Sequence, residues 1–261
     1  MSDAIKAEYK RYLDGEDGAN RYNAFKAILY GDPDSLVLEV FQALSPGLGP
    51  ARGLSILDVG GGDGKRAIAL SGLLQAKGMR ARVTVVEPSE AFTSALKRKG
   101  TAGIEVVRSS FEEFTTTERF DLVIFLHSIF TFEDDLYLRK AKELLKPGGS
   151  MCIVANASDS FLAQLKSIVD EGRGSRKEVD SVLKDLERNG WHYETTDVQT
   201  RFGGCIQERR LTEKGLLVLE WIALRPASAL PETTRVRAEE CFLRNAEDGV
   251  ITEREMIVIA R

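Results

Sequence analysis

The chain has 261 residues, 43% of them hydrophobic and 29% charged, a globular composition with room for one or two domains. Its 40 acidic and 36 basic side chains leave a net charge of −4, which speaks against a nucleic-acid binder and for a small-molecule partner. Three scattered cysteines and two histidines are too few for a zinc site or a disulfide framework, so reduced thiols and a cytoplasmic setting are expected.

The opening, MSDAIKAEYKRYL, is charged and lacks the apolar centre of a signal peptide. No apolar run reaches the roughly 18 residues of a membrane span. Three helices are expected at 4–13, 19–30 and 35–44, separated by Gly-Asp turn signals. From 54 to 155, apolar runs alternate with helical patterns at 64–77, 90–99 and 134–145. The runs are LSILDV (54–59), ARVTVVE (81–87), GIEVV (103–107), FDLVIFL (120–126) and SMCIVA (150–155). They are uniformly apolar, as strands buried on both faces of a parallel sheet are. Strand–helix–strand repetition of this kind predicts a doubly wound α/β sheet. Beyond it, helices are expected near 161–171, 177–189, 213–224 and 234–245, with strands at 192–199 and 255–260. The basic run at 173–177 reads as a solvated loop. Both flanks, 1–50 and 156–248, read as lids on a single domain.

The stretch ILDVGGGDG (56–64) follows a strand and precedes an amphipathic helix, where a glycine-rich turn lets backbone approach a ligand. Its pattern is Asp58-x-Gly60-x-Gly62-x-Gly64. The dinucleotide fingerprint Gly-x-Gly-x-x-Gly, begun at Gly60, would need glycine where Lys65 stands. Glu87 ends the second strand, where a carboxylate accepts from ribose hydroxyls in either an adenosyl or a NAD site. LLKPGG (144–149) is a helix end and turn before strand five. In RSSFEEF (108–114), Ser110 either bonds a ligand or merely closes the strand-exit turn.

An acid ahead of evenly spaced glycines resembles motif I of the class I S-adenosylmethionine-dependent methyltransferases. LLKPGG and VVEP are similar to the same family's segments. The resemblance implies a Rossmann-like fold: a seven-stranded, mostly parallel sheet with an antiparallel last strand and helical caps. It also implies S-adenosyl-L-methionine as cofactor. The residues that would hold it are Asp58, Gly60, Gly62, Gly64, Glu87, Pro88, Ser110, Phe111 and Leu126.

Within that family, ILDVGGGDG, VVEPSEAF, FDLVIFLHSIFTFED and EREMIVIAR resemble the histamine N-methyltransferase subgroup. Its pocket glutamine maps to His127, its tryptophan to Phe161 and its asparagine to Thr252. Its acidic residue falls at Gly18, just after Glu16 and Asp17. All four positions differ, so the expected acceptor is a small amine or related nucleophile rather than histamine itself. Tyr22 and Phe130 are added as aromatic pocket walls, although Tyr9, Tyr12, Tyr22 and Phe25 also read as plain packing. Trp221, on a strongly apolar helix, reads as core.

His127 follows the carboxyl end of a central strand, where open α/β sheets bind ligands. It either serves as a base, which suits an oxygen acceptor, or bonds the backbone or cofactor. Transfer to a neutral amine asks for little beyond alignment. N-methylation is the first expectation and O-methylation with His127 as base the alternative. A NAD-dependent oxidoreductase and a non-catalytic binding protein are the remaining rivals.

Overall fold

The structure, a computed structural model, describes residues 3–13, 16–31, 34–48, 53–132, 134–173 and 176–261. The apolar runs form strands whose successive side chains leave on opposite faces. In β1 (Leu54–Val59), Ile56 joins the core on one side of the sheet, and Leu57 and Val59 the other. β2 (Ala81–Val86) and β3 (Ile104–Val107) add parallel on one flank of β1. β4 (Phe120–Leu126) and β5 (Leu145–Asn156) add parallel on the other. Then come β6 (Tyr193–Gly203), a small hairpin of β7 (Ile206–Gln207) and β8 (Arg210–Leu211), the short β9 (Ala246–Glu247), and β10 (Val250–Ala260). β10 inserts antiparallel between β5 and β6, giving the order β3-β2-β1-β4-β5-β10-β6, with β9 paired to β10. This is the Rossmann-like sheet expected, mostly parallel with an antiparallel last strand.

α1 (Asp3–Leu13) rests Ile5 on Leu224. One face of the sheet is covered by α2 (Glu16–Tyr30), α3 (Leu36–Leu44), α4 (Lys65–Ala76) and α5 (Glu90–Lys99). α6 (Leu136–Leu144) covers the other face, α7 (Phe161–Val169) the first, and α8 (Val179–Arg188) again the other. α9 (Glu213–Ala223) and α10 (Glu232–Asn245) complete the first layer. α5 has its terminal signals in full. Ser89 accepts the Phe92 N–H at 3.4 Å, Lys97, Arg98 and Lys99 occupy the last turn, and Gly100 closes it in the left-handed region. Among the described residues no helix is long and apolar enough to cross a membrane.

Three expectations shift. The fifth strand begins at Leu145 rather than 150, because LKPGG pairs with β4 through a bulge between Phe120 and Leu122. The sixth runs on to Gly203, and the two-residue strands β7, β8 and β9 are too short to leave an alternating pattern. The basic run at 173–177 is no solvated patch. Arg173 pairs with Glu8 and Asp170, Arg176 with Asp170 and Lys177 with Asp185, while residues 174 and 175 lie outside the described ones.

Candidate active site

The carboxyl ends of β1, β2, β4 and β5 meet the first half of the antiparallel β10 at one edge of the sheet. There the glycine loop is held by close approach. A Cβ on Gly60 would lie 2.6 Å from that of Ser128, whose hydroxyl donates to the Val59 carbonyl at 2.5 Å. A Cβ on Gly61 would lie 2.4 Å from Asp58 Oδ2. The Gly62 N–H donates to Glu87 Oε2 at 3.0 Å, and Glu87 Oε1 accepts from the Ser89 N–H at 2.9 Å. The acid ending β2 thus carries both the loop and the start of α5.

Beside this loop opens a cleft of about 560 Å³, within the range of small-molecule sites. Gly60, Gly62, Glu87, Pro88, Ser110 and Phe111 all line it. Ser110 also closes its turn, accepting the Glu113 N–H at 3.2 Å and donating to Glu113 Oε2 at 3.1 Å. Asp58, Gly64 and Leu126 stand behind the wall. Gly64 caps α4 against Leu96, and Leu126 is buried with its carbonyl 3.5 Å from Arg66 Nη1. Asp58 is buried beneath the loop with neither carboxylate oxygen hydrogen-bonded. Burial first, and then Glu87, push its pKa up to about 7 against the pull of Arg66 and Lys26.

S-adenosylmethionine fits these residues. The uncompensated oxygens of Asp58 lie under the loop, Glu87 lies on the wall, and both complement a ligand bearing ammonium and sulfonium charge. Gly62 keeps its missing side chain toward Tyr22, 3.6 Å away, on the ligand side of the loop.

Deeper in, a second pocket of about 50 Å³ shares Tyr9, Tyr22, His127 and Phe130 with the cleft. His127 is left-handed, with φ +62°, which costs a non-glycine residue about 1–2 kcal/mol. Its N–H is secured on the Val154 carbonyl at 3.1 Å. Its Nε2 lies 3.1 Å from Glu255 Oε1 and 3.0 Å from the Tyr30 hydroxyl, which itself donates to Glu255 Oε1. Among the described residues no hydrogen bond reaches Nδ1. Burial alone would raise Glu255, but the His127 charge and the bonds from His127 and Tyr30 hold it below the usual carboxylate value. Tyr30 goes the other way, raised by burial and then by Glu255, and stays a neutral donor. Glu253 accepts from Asn156 Nδ2 at 2.8 Å and the Leu162 N–H at 2.9 Å; burial and then Glu255 raise it to about 8.

The remaining expected pocket residues lie elsewhere. Phe161 is in the core, 4.8 Å from the Phe242 ring and 6.0 Å from Phe202, and not on either cavity wall. Thr252 is exposed, because it alternates with Glu253 on the strand and so faces away from it. Asp17 is exposed on α2 and lines neither cavity. The Glu16 side chain lies outside the described residues. Sequence reasoning passed over Tyr30, Glu253 and Glu255, and four pocket cations, Lys26, Arg66, Lys166 and Arg176. Trp221 serves both as core and as pocket wall, 5.1 Å from Tyr22 and stacked on Phe25 at 5.6 Å.

A Rossmann-like sheet with an antiparallel last strand, a glycine loop under a cofactor-sized cleft and an acid closing β2 define the class I S-adenosylmethionine-dependent methyltransferases. Residues 56–149 match the family described as "Methyltransferase domain", which with this fold supports a methyltransferase enzyme. Comparison with curated proteins found no match. Among solved structures, the YcgJ protein of Bacillus subtilis superposes with a TM-score of 0.60 at 12% identity, over 86% of this chain and 96% of that one. A phosphoethanolamine N-methyltransferase 2 of Haemonchus contortus, in complex with phosphomonomethylethanolamine and S-adenosylhomocysteine, gives 0.58 at 17%, over 97% and 59%. A magnesium protoporphyrin IX methyltransferase of Synechocystis PCC 6803 with bound S-adenosylhomocysteine gives 0.54 at 18%, over 73% and 90%. At these identities the likeness is one of fold.

Proposed function

We propose that the chain methylates a hydroxyl group of a small molecule, with His127 as the base that takes the hydroxyl proton. The observation that carries this is the pair His127 Nε2–Glu255 Oε1 at 3.1 Å, at the junction of cleft and inner pocket. Glu255 accepts from Nε2–H, which fixes the tautomer whose Nδ1 is the acceptor. When Nδ1 takes the proton, the buried carboxylate stabilises the imidazolium, and the neutral Tyr30 hydroxyl holds that carboxylate in place.

Gly60, Gly62, Glu87, Pro88, Ser110 and Phe111 are the residues that would hold S-adenosylmethionine, backed by Asp58, Gly64 and Leu126. When bound, it supplies a methyl group activated on a sulfonium sulfur. Tyr22 and Phe130 align the acceptor beside it and exclude water.

Transfer to an amine or ring nitrogen is the second reading. It rests on the aromatic walls and on the resemblance to the histamine subgroup, which the comparisons do not support beyond the shared class. The net charge of −4 supports an acceptor other than nucleic acid. The free, buried Cys152, Cys205 and Cys241 support a reducing, cytoplasmic setting for a single catalytic domain with helical lids at 1–50 and 156–248.

The test is calorimetric titration with S-adenosylhomocysteine, NADH in parallel, and then transfer assays on phenols, aryl amines and imidazoles. Binding of the first ligand alone, with transfer to phenols, is expected. His127→Ala should lower kcat on a phenol by about 10²–10⁴ with cofactor affinity unchanged. Transfer to amines only, with His127→Ala leaving kcat intact, overturns the oxygen reading. Binding of NADH alone overturns the class.

A further inference from the structure

Among the described residues, the wall of the inner pocket carries four cations, Lys26, Arg66, Lys166 and Arg176, and no carboxylate. Their partners, Asp63, Asp34, Glu178 and Asp170, stand behind them. Three of the four cations are drawn back by close bonds. Arg176 forks onto Asp170 and the Ile222 carbonyl, Lys166 is held between Asn156 and Glu178, and Arg66 Nε sits 2.7 Å from Asp34. Lys26 is held more loosely, 3.7 Å from Asp63.

One donor is left over. Arg66 is 5% exposed, and its Nη2 is buried with no hydrogen-bond partner. A buried, unmet guanidinium donor is costly to hold, and an acceptor atom from a ligand would remove that cost. Burial first, and then the charge of Arg66, lower Lys26 to about 8, so an anion between the two would relieve both groups.

The aromatic faces argue in the same direction. A cage for a cationic acceptor needs open ring faces. Here Lys26 Nζ already lies 4.5 Å over the Tyr22 ring and Arg66 Cζ 4.9 Å over that of Tyr30. An ammonium entering this pocket would meet like charge. The volume of about 50 Å³ exceeds one water and suits a group of carboxylate size, not a second ring.

We propose that the inner pocket is an anion subsite, in which Arg66 and Lys26 hold a carboxylate on the acceptor while its hydroxyl lies at His127. The acceptor class is then an aromatic or cyclic hydroxy acid. This rests on the hydroxyl reading above and narrows it. The same chemistry has a second source, since S-adenosylmethionine carries a carboxylate of its own, and the test separates the two.

The experiment is calorimetry on the protein saturated with S-adenosylhomocysteine, titrated with 4-hydroxybenzoate, 4-hydroxybenzamide and tyramine as probes. The benzoate should bind roughly tenfold or more tighter than the amide, the scale of a charge-assisted bond, and tyramine more weakly still. Arg66→Gln should erase that preference while S-adenosylhomocysteine binds within about threefold of the parent; Lys26→Met is the second variant should the first not fold. Equal binding of benzoate and amide, or preference for tyramine, overturns the proposal even if phenols are methylated. Loss of S-adenosylhomocysteine affinity with the benzoate preference intact also overturns it, because Arg66 then serves the cofactor's carboxylate. Failure of the parent to bind S-adenosylhomocysteine at all would instead remove the methyltransferase reading beneath it.

Discussion

Replacing Asp58 with asparagine should stabilise the ligand-free protein, and by an amount that grows with pH. Asp58 is buried, neither oxygen has a hydrogen-bond partner, and its pKa rises from 3.8 to about 7. Because the folded state holds this proton more tightly than the unfolded chain, wild-type stability falls as pH rises from 3.8 toward 7 and levels above it. The full interval of about three units corresponds to an upper bound of about 4 kcal/mol, of which roughly 2–3 kcal/mol falls between pH 5 and pH 8. Asparagine brings unmet polar atoms of its own, costing about 1–3 kcal/mol, but that penalty does not change with pH. The quantity to measure is therefore the slope: the stability difference between variant and parent, from urea denaturation at pH 5, 6, 7 and 8. In thermal terms it should widen by roughly 5–10 °C across that range. A flat difference would mean that Asp58 ionises near its ordinary value and that burial beneath the loop exerts no net effect. The same variant should bind S-adenosylhomocysteine more weakly at pH 8, where the parent offers a carboxylate and the variant does not.

Glu255→Gln should lower kcat on the order of tenfold or more with little change in cofactor affinity, because the His127 tautomer loses its anchor. In the parent, the stability that Glu255 contributes is present above its ordinary value of 4.5 and is lost as pH falls below it. The variant should therefore show a shallower acid limb in thermal melts between pH 5 and 3, and an equally steep one would contradict the depressed carboxyl. Gly61→Ala should destabilise by about 1–3 kcal/mol, since its methyl would lie 2.4 Å from Asp58 Oδ2 and 2.7 Å from Val85 Cγ1. Denaturant midpoints within error of the parent would show that the loop shifts freely.

The two cavities differ in how far the sequence announces them. The cofactor cleft is built from strand ends and the turns that follow them, and each piece is a contiguous string with its own turn chemistry, such as ILDVGGGDG or VVEPSE. The inner pocket is assembled from α1, α2, α4, β5, α7 and α9, with Glu255 of β10 behind His127 and Tyr30; these meet only after folding, so no local string contains it. Arg66 sits in the first turn of a helix whose Lys65 neighbour is exposed, and nothing in the order of residues tells the buried cation from the solvated one. One signal was legible. In VITEREMIVIA, Glu253 and Glu255 take alternate positions on a face that otherwise carries Ile251, Ile257 and Ile259. Two acids on the buried side of a strand mark a polar site. Placing the pocket contact at Thr252 missed them by one residue, which on a strand means the opposite face.

That alternation has an evolutionary consequence. β10 is paired along its whole length with β6, over Val250–Ala260, and on its other side with β5 over Glu255–Ala260. A relative that gained or lost a single residue between Glu253 and Glu255 would put the two acids on opposite faces of the sheet. Substitution can retune such a site gradually, whereas an insertion or deletion removes it in one event. Along lineages that keep this chemistry, β10 should vary in letters but not in length, while the β7–β8 hairpin, which lines neither cavity, is free to vary in both.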